Sequence, residues 1–421
     1  MSSDEAPPVD LLDPAFMADP GPGYARLHAT VPLTRVHLRP GLAPWLISGY
    51  EQAKAVLSDP LFSVDPASTD PSVREAIAAG RAEEKTALLG RHLLSVDPPD
   101  HTRMRRLMSR ALTARRMLEL RQPVGVFADG LLDGLAGRPG FDVLTDYALP
   151  LAVDVICELI GIPPADRPRF KEWGQLLVQA ELQDDASFDE AADAMAGYFV
   201  PLLAARRKEP ADDLVSALVD AHGADQLDDY ELISLVYQLF FAGHESSAYL
   251  ITNATLRLLS HPGERAALAA DPELIDPLIE EVLRVDGPVK VPTWRFPVRD
   301  TELGGRRLRA GEPVLVLLGA TGRDPSRFPD PDHFDNGRFD GGRSDGGHFD
   351  GGRAAAQQHL AFSHGIHHCM GAAVGRMEGR VGVSRLFARF PGIRLAIEPD
   401  QLRWRDNLMM RGVRELPVRV G

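Results

Sequence analysis

The stretch His359–Gly371, with the sequence HLAFSHGIHHCMG, holds the densest group of reactive side chains in this chain. Four histidines and one cysteine lie between positions 359 and 369, and a helix is predicted to begin near Gly371. A thiol at the N-terminus of a helix feels the positive end of the helix dipole and nearby backbone N–H groups, and both lower its pKa. We therefore predict that Cys369 is a thiolate that serves as an axial metal ligand or a nucleophile.

The second cysteine, Cys157, shares an apolar helical stripe with Val153 and Ile160. A lone cysteine among apolar side chains is usually a buried, unreactive residue, and we predict that role for Cys157. Two cysteines cannot form a disulfide framework, and we therefore predict that the protein resides in the reducing cytoplasm.

A second polar group lies inside a long predicted helix, 228–260, in the segment Ala242-Gly243-His244-Glu245-Ser246-Ser247. The carboxylate of Glu245 next to the hydroxyl of Ser246 offers donor and acceptor capacity in sequence, which suits a proton relay. The alternative is that Ser246 only donates to a backbone carbonyl one turn earlier, as helical serines often do. We assign no metal role to His244, because a single histidine in a helix is more often structural.

Basic side chains concentrate between positions 101 and 121, where only Glu119 is acidic. The arginines there are Arg103, Arg105, Arg106, Arg110, Arg115, Arg116 and Arg121. The side chains of His101 and Arg105, four residues apart, extend from the same face of a helix, and together they can bind carboxylates. The segment is a local basic patch in an acidic protein, and a solvated helix face is one explanation for it.

These groups must be positioned by helices, which apolar periodicity predicts over most of the chain. The predicted helices are Tyr50–Ser58, one starting near His101 with Asp100 as its cap, Leu149–Ile160, Arg169–Glu181, Phe188–Arg206, Leu214–His222, Asp228–Ser260, Asp271–Val285 and Gly371–Phe390. Strands are predicted at Leu33–Leu38, Pro44–Ser48, Thr293–Val298, Glu302–Leu308 and Val314–Leu318, and residues 63–100 are predicted to be irregular. The predicted fold class is mainly α (α+β), as one domain over 1–421 with small β-sheets.

The chain carries a net charge of −14 over 421 residues, which argues against general nucleic-acid binding. Its longest apolar run, Leu232–Ala242, is far shorter than the roughly 20 residues of a membrane span, so no span is predicted. The acidic, proline-rich N-terminus does not have the pattern of a signal peptide. A glycine-rich insertion at about 339–357 repeats FDGGR and is predicted to be a flexible surface loop; a metal-binding or partner-binding loop is the alternative.

The His359–Gly371 segment resembles the haem-binding loop of the cytochrome P450 superfamily, F-x-x-G-x-H-x-C-x-G. The matching residues are Phe362, Gly365, His367, Cys369 and Gly371. The resemblance covers nearly the whole chain, because Glu281 and Arg284 match the family's E-x-x-R pair, residues 97–106 match the helix across the proximal haem face, and residues 242–246 match A/G-G-x-D/E-T. Two positions depart from the family: Ser363 stands where bacterial members usually have Gly, and Ser246 where Thr is usual.

The resemblance implies that Cys369 is the axial thiolate ligand of the iron in haem b, whose electron density favours O–O cleavage. It implies that His101, Arg105, Arg295 and His367 meet the haem propionates. It also implies that Ala242 and Gly243 lie beside the macrocycle, with room left by Gly243, and that Glu245 and Ser246 relay protons. The Glu281–Arg284 pair is expected to be buried scaffold.

The function implied is a bacterial monooxygenase that inserts one oxygen atom of O2 into an apolar small molecule by hydroxylation or epoxidation in secondary metabolism. Electrons are expected from a ferredoxin and a ferredoxin reductase. In the family such partners dock on the surface that corresponds to the basic segment at 101–121, where complementary charge would speed encounter. By family position the substrate pocket is lined by Leu239, Phe240, Val289, Val291, Trp294, Met409 and Met410, with a charge from Lys290; core packing is the alternative for each.

Two other functions stay open at this point. The first is a haem-thiolate enzyme that couples or dehydrogenates its substrate without net oxygen insertion, which the altered Ser246 permits. The second is a non-haem protein that binds zinc or another transition metal. Its ligands would come from His359, His364, His367, His368 and Cys369.

Overall fold

A computed structural model of the protein describes residues 9–30, 33–79, 91–179, 186–223, 227–339 and 359–420. Helices dominate these ranges. They are α1 Pro14–Ala18, α2 Gly21–Thr30, α3 Tyr50–Ser58, α4 Pro71–Ala78, α5 Asp100–Ala111, α6 Ala114–Glu119, α7 Arg121–Leu135, α8 Leu149–Ile160, α9 Arg167–Gln179, α10 Ala186–Lys208, α11 Leu214–Gly223, α12 Asp229–Ser260, α13 Pro262–Ala270, α14 Ile275–Asp286, α15 Leu318–Thr321 and α16 Ala372–Arg389. The glycine-rich insertion, apart from Phe339 at its start, lies outside the described residues.

The strands are short and form small sheets at the periphery of the helices. They are β1 Leu33–Arg35, β2 Trp45–Ile47, β3 Phe62–Ser63, β4 Gly140–Asp142, β5 Phe296–Pro297, β6 Thr301–Leu303, β7 Arg306–Leu308, β8 Val314–Val316, β9 Arg394–Leu395 and β10 Pro417–Arg419. The three-stranded sheets have the orders β1-β2-β8 and β4-β10-β9, and β3–β5 and β6–β7 are two-stranded. In the first sheet β1 and β2 are antiparallel, with Leu33 opposite Ile47, and β2 and β8 are parallel. The prediction of a helix-rich fold with small sheets is confirmed.

Helix α12 crosses the middle of the molecule and packs on α8 and α16. It starts with a capping box, in which the Asp228 side chain accepts from the Glu231 N–H and the Glu231 side chain accepts from the Asp228 N–H. Close approach of α16 depends on glycine: a Cβ atom at Gly382 would lie 2.8 Å from Cδ1 of Ile251 on α12. The helix is therefore held at both its N-terminus and its middle.

Helix α8 is buried along nearly its whole length, which explains its uninterrupted apolar sequence. Cys157 lies on it with 0% of its surface exposed, so the predicted role as a core residue is confirmed. Burial raises the pKa of the Cys157 thiol far above its ordinary range, which keeps the sulfur neutral.

Three predictions about local structure were wrong. Residues 63–100 are not wholly irregular, because helix α4 begins at Pro71, where a proline at the first turn suits a helix start. Asp100 does not cap the next helix; the N-cap is Pro99, and the Asp100 carboxylate instead pairs with Arg91 and Arg103. Helix α7 was missed, because three glycines and a proline in its sequence weaken the helical pattern.

The Glu281–Arg284 pair connects α14 to the irregular segment that follows α15. Both side chains are fully buried, and the two nitrogens Nε and Nη2 of Arg284 each donate to Glu281 at 2.7 Å. Nη1 of Arg284 donates to the carbonyl oxygens of Gly322 and Pro331, and Arg338 adds a second cation at 3.1 Å from Glu281. These contacts are a scaffold that holds the segment against α14, as the resemblance implied. Within the described part of the chain, no helix is long and apolar enough to cross a membrane.

Replacing Arg284 with Ala should lower the free energy of unfolding by about 3–5 kcal/mol, because it leaves the buried carboxylate of Glu281 without its main partner. Urea denaturation measures this loss. Arg307→Ala is the matched control, since the Arg307–Asp300 pair is exposed and its removal should cost less than about 1 kcal/mol. Equal losses in the two variants would contradict a scaffold role for Arg284.

Candidate active site

The segment before α16 is a tight loop that presents the Cys369 sulfur at an accessible surface. Gly365 has a φ of +72°, and a Cβ atom there would lie 2.4 Å from the carbonyl oxygen of Leu57, so only glycine fits. A single 3-10 turn covers Gly365–His367, and the Cys369 N–H donates to the Phe362 carbonyl at 2.9 Å. These bonds fix the backbone on both sides of the sulfur.

Ser363, the departure from the family pattern, adopts a left-handed conformation with a φ of +63°. A side chain in that region costs roughly 1–2 kcal/mol, which glycine would avoid. Its hydroxyl is buried and has no hydrogen-bond partner among the described residues. The serine therefore adds local strain to the loop without a compensating contact.

The thiolate role of Cys369 stays a prediction. Burial raises the pKa of its thiol most, whereas the Gly371 N–H and the charges of Arg105 and Arg376 lower that pKa. Cys369 is an exposed residue whose sulfur is surrounded by protein atoms, so desolvation outweighs the helix dipole. A bound metal cation changes this balance, because a coordinating thiol loses its proton.

Three buried cationic or imidazole side chains near the loop carry nitrogens without acceptors in the described chain. They are Nε and Nη2 of Arg295 and the Nε2 atoms of His101 and His367. The two imidazoles lie 4.3 Å apart by ring centroid, and Arg295 lowers the pKa of His367, as burial does. The guanidinium N–H groups of Arg295 are unpaired buried donors, which are costly and therefore indicate an anionic ligand. A group with two carboxylates, such as haem, fits these donors, and the structure brings together the residues predicted for it.

Arg105 belongs to the same cluster but is held differently. Its Nη2 donates to the carbonyl of His368 at 2.8 Å, and its charge lowers the pKa of both His101 and Cys369. Arg105 therefore fixes the loop next to the cysteine in addition to the predicted contact with a carboxylate.

The histidines of the loop diverge, which argues against the zinc alternative. The His359 Nε2–H donates to Glu280 at 3.0 Å, and the His367 Nδ1–H donates to the Leu93 carbonyl at 3.2 Å. Among the residues that the structure describes, no three His, Cys, Asp or Glu side chains are placed to hold a metal ion together.

On α12 the polar residues predicted as a relay point in different directions. Ser246 is half-buried beside the exposed Ala242, and its hydroxyl donates to the Ala242 carbonyl at 2.9 Å. Glu245 is buried and forms an ion pair with Arg405, which also donates to the Tyr249 hydroxyl at 2.9 Å. Ser246 makes the local bond that was its alternative role, and Glu245 is engaged by a residue that the sequence did not indicate.

Gly243 and His244 face neighbouring helices. A Cβ atom at Gly243 would lie 2.8 Å from Cδ1 of Ile156, so this glycine permits the close packing of α12 on α8. The predicted role of Gly243, leaving room for a macrocycle, stays a prediction. His244 is buried, donates from Nδ1 to the Phe240 carbonyl at 2.8 Å, and has its pKa lowered by burial to about 4.

A buried acid that the sequence reading missed lies between α12 and α16. The Ser247 hydroxyl donates to the Glu378 carboxyl, and burial raises the pKa of Glu378 to about 8. Ser247 is the residue directly after Ser246, so a neutral carboxylic acid sits near the predicted relay. A signal was available in the sequence, because Glu378 lies four residues after Val374 on the apolar stripe of α16.

The predicted pocket residues divide into two groups. Leu239, Val289, Met409 and Met410 are half-buried, which is compatible with lining a cleft. Phe240, Val291 and Trp294 are 0%, 1% and 4% exposed and belong to the hydrophobic core, which matches the alternative of core packing; their lining role stays a prediction. Lys290 is also buried, with its ammonium 2.6 Å from the Asn407 carbonyl and 2.9 Å from the Met17 sulfur, and it adds no charge to a pocket.

Fewer arginines of the basic segment at 101–121 are available to a partner than the sequence suggests. Arg103, Arg115 and Arg116 form ion pairs, with Glu231, Glu119 and Asp212 among their partners. Within the described residues no such bond is found for the exposed Arg106, Arg110 and Arg121. These three are the arginines left to meet a partner.

Comparisons with known proteins agree with this geometry. The family model described as cytochrome P450 matches residues 184–400. The cytochrome P450 monooxygenase PikC of Streptomyces venezuelae is 41% identical over 98% of this chain and 95% of its own. The mycinamicin IV hydroxylase/epoxidase of Micromonospora griseorubida is 40% identical over 94% of both chains. The crystal structure of a myxobacterial cytochrome P450 in complex with myristic acid superposes with a TM-score of 0.85 at 37% identity, covering 98% of each chain.

Replacing Glu378 with Gln should change how stability depends on pH. The unfolded carboxyl ionises near its ordinary pKa of 4.5, whereas the folded one stays neutral up to about 8. The wild type therefore loses stability relative to the Gln variant as pH rises from about 4.5 to about 8, and the difference is constant below that window. Urea unfolding of both proteins across this range measures it, and parallel profiles would show that Glu378 is not a neutral acid.

Proposed function

The chain belongs to the cytochrome P450 family and is a monooxygenase, and from that premise we propose that it holds haem b through Cys369 and hydroxylates or epoxidises an apolar small molecule of bacterial secondary metabolism. One observation carries the assignment of the site. The exposed Cys369 lies in the same cluster as the unpaired guanidinium nitrogens of Arg295 and the unpaired Nε2 atoms of His101 and His367. A haem supplies both an iron that can bind a thiolate and carboxylates that can accept from a buried cation.

Each residue of the cluster has a definite task. Cys369 would bind the iron, and Arg295, His101 and His367 would donate to the propionates, with Arg105 beside them. When bound, haem supplies the reductive activation of O2, for which a thiolate ligand is suited. The pairing of propionates with Arg295 removes the cost of leaving a guanidinium buried without acceptors.

The substrate is proposed to be apolar, because the half-buried side chains at the predicted pocket positions are aliphatic or thioether groups. These are Leu239, Val289, Met409 and Met410. Methionine adapts its shape to irregular ligands, which suits a pocket for a bulky natural product. Oxygen insertion is preferred over coupling because the relatives are named as a monooxygenase and a hydroxylase/epoxidase.

Ser246 is proposed to take part in the proton relay of the cleft. Its hydrogen engages the Ala242 carbonyl, which leaves the hydroxyl oxygen free to accept from water or substrate on the open side. Glu245 stays in the proposal as the acid next to it, although its ion pair with Arg405 must open before it can exchange a proton with Ser246. The neutral Glu378 acid, bonded to Ser247, is a second proton store that needs no such opening.

The electron donor is proposed to be a ferredoxin with its ferredoxin reductase, docking at the exposed arginines of α5 and the start of α7. Arg105 connects this face to the Cys369 loop through the His368 carbonyl. We also propose that the chain acts as one domain in the cytoplasm, on the grounds of its continuous helical core and its low cysteine content.

Replacing Cys369 with Ser should abolish the thiolate-type Soret band of the ferrous carbon monoxide complex, because the hydroxyl is a poor iron donor. Cys157→Ser is the matched control and should keep the band, since that thiol is buried in α8. The absorbance spectrum of the reduced protein with carbon monoxide measures both. An unchanged band in the Cys369 variant would overturn the ligand assignment.

Ser246→Ala should lower product formed per reductant consumed by about 10²-fold or more, the usual size of general acid–base assistance, while reductant is still oxidised and peroxide is released. Ser246→Thr should keep or improve the ratio, because it restores the hydroxyl and stiffens the rotamer. The ratio of product to reductant is the measurement. If the Ala variant and the wild type give the same ratio, the proton does not pass through Ser246. Glu378→Gln in the same assay then tests whether it passes through Glu378.

Reversing charge at Arg106 or Arg110 should slow electron transfer from an acidic ferredoxin, and the wild-type rate should fall as salt rises. Stopped-flow reduction of the haem measures the rate. Reversal at Arg307, which lies in an exposed ion pair on the β6–β7 hairpin, is the control and should have no effect. A rate indifferent to charge and to salt would show that these arginines form only a solvated face.

A further inference from the structure

Glu280, the residue directly before the E-x-x-R glutamate, is buried and connects three parts of the site. Its carboxylate is 2% exposed and accepts from Nε of Arg376 at 2.6 Å and from Nη2 of Arg376 at 2.9 Å. It also accepts from Nε2 of His359 at 3.0 Å. These contacts lower the pKa of Glu280 to about 2 against the opposing effect of burial, so the carboxylate is charged.

The two partners of Glu280 belong to the structure that carries Cys369. His359 opens the loop, and its second ring nitrogen, Nδ1, accepts from the Ala361 N–H at 3.3 Å. Both bonds of this imidazole are therefore used to fix the loop: one holds it to α14 and the other shapes its first turn. The assignment of Nε2 as donor follows from this pair of contacts.

Arg376 reaches the loop from the other side. It lies on the second turn of α16, and its guanidinium carbon is 4.4 Å from the centre of the Phe362 ring, a cation–π contact. The carbonyl of Phe362 accepts from the Cys369 N–H, so the ring under Arg376 belongs to the residue that fixes the cysteine backbone. These contacts place the positive charge of Arg376 next to the cysteine loop.

A second ion pair between the same two helices provides a comparison. Asp276 and Arg380 join α14 to α16 at 2.8 Å, one helical turn away from Glu280 and Arg376 on each helix. That pair is more exposed, at 17% and 33%, and no bond from either residue to the loop is found in the described chain. Both ion pairs therefore join α14 to α16, but within the described residues only the Glu280–Arg376 pair also contacts the cysteine loop.

We propose that Glu280 is a positioning residue for the haem-thiolate centre: it holds the Arg376 charge beside Cys369 through a bidentate bond, and it anchors the loop through His359. The inference rests on the proposed role of Cys369 as iron ligand. Glu281 and Glu280, adjacent in sequence, then have separate tasks, since Glu281 holds the segment after α15 and Glu280 holds the thiolate loop.

A charge near the iron affects the reduction potential, because reduction adds one electron to the centre. Arg376→Gln removes a positive charge and should lower the potential. If Glu280 acted only as a nearby negative charge, Glu280→Gln would raise the potential. Because we propose that Glu280 acts by holding Arg376, we expect Glu280→Gln to lower the potential, in the same direction as Arg376→Gln, and the double variant to show less than the sum of the two shifts.

The experiment measures the reduction potential by spectroelectrochemistry and, in parallel, the fraction of the ferrous carbon monoxide complex with the thiolate-type band. Glu280→Gln and Arg376→Gln should also retain haem about 10-fold less tightly, the usual cost of removing a support of a metal ligand. Asp276→Asn is the matched control and should match the wild type in potential, band and haem retention. A raised or unchanged potential in Glu280→Gln, or an equal shift in Asp276→Asn, would overturn the proposal.

Arg376→Lys keeps the experiment decisive if Glu280→Gln does not fold. Lysine preserves the charge but cannot form the bidentate bond or cover the Phe362 ring, so we expect a smaller thiolate-type fraction; a wild-type spectrum and potential would overturn the proposal. A wild-type protein without any thiolate-type band would instead contradict the proposed function, which separates that failure from a failure of the Glu280 inference.

Discussion

The structure depends on a set of buried positive charges and ring nitrogens that the chain itself leaves without acceptors. Arg295 and the histidines at 101 and 367 come from three distant parts of the sequence and meet beside the Cys369 loop. Gathering such donors is unfavourable unless a ligand with anionic groups arrives. In the proposed function, haem would satisfy these nitrogens and would stabilise the meeting of α5, the segment after α14 and the loop before α16.

Around this cluster, buried carboxylates hold the surrounding elements. Glu281 binds Arg284 and Arg338, and Glu280 binds Arg376 and His359, so two adjacent residues of α14 fix two different segments. Buried ion pairs are not strongly stabilising in themselves, because desolvation offsets their attraction. Their value here is geometric, since a bidentate carboxylate–guanidinium pair has one good arrangement and so determines where each loop lies.

Helix α12 combines two requirements on different faces. One face must approach α8 and α16 closely, which explains Gly243 against Ile156 and the small residues of α16. The other face carries Ala242 and the Ser246 hydroxyl toward open space. The two acids near that face have different partners: Glu245 forms an ion pair with Arg405, and Glu378, whose pKa is raised by burial, accepts from the Ser247 hydroxyl. Two carboxyl groups in different surroundings therefore lie near one cleft.

The sequence by itself predicted the thiolate centre, because Cys369, its glycines and its histidine match the haem-binding loop of the cytochrome P450 family. It also determined most helices, whose apolar periodicity is a local property, and the buried role of Cys157. Only the tertiary structure decided which side of a helix each polar residue faces and what it meets there. Phe240, Val291 and Trp294 are core residues, and Glu245 is paired with Arg405, from a segment 160 positions away. The protonation states and contacts of Glu378 and Glu280 follow only from the tertiary structure, because the pKa of a carboxyl group depends on desolvation and on partners that are remote in the chain.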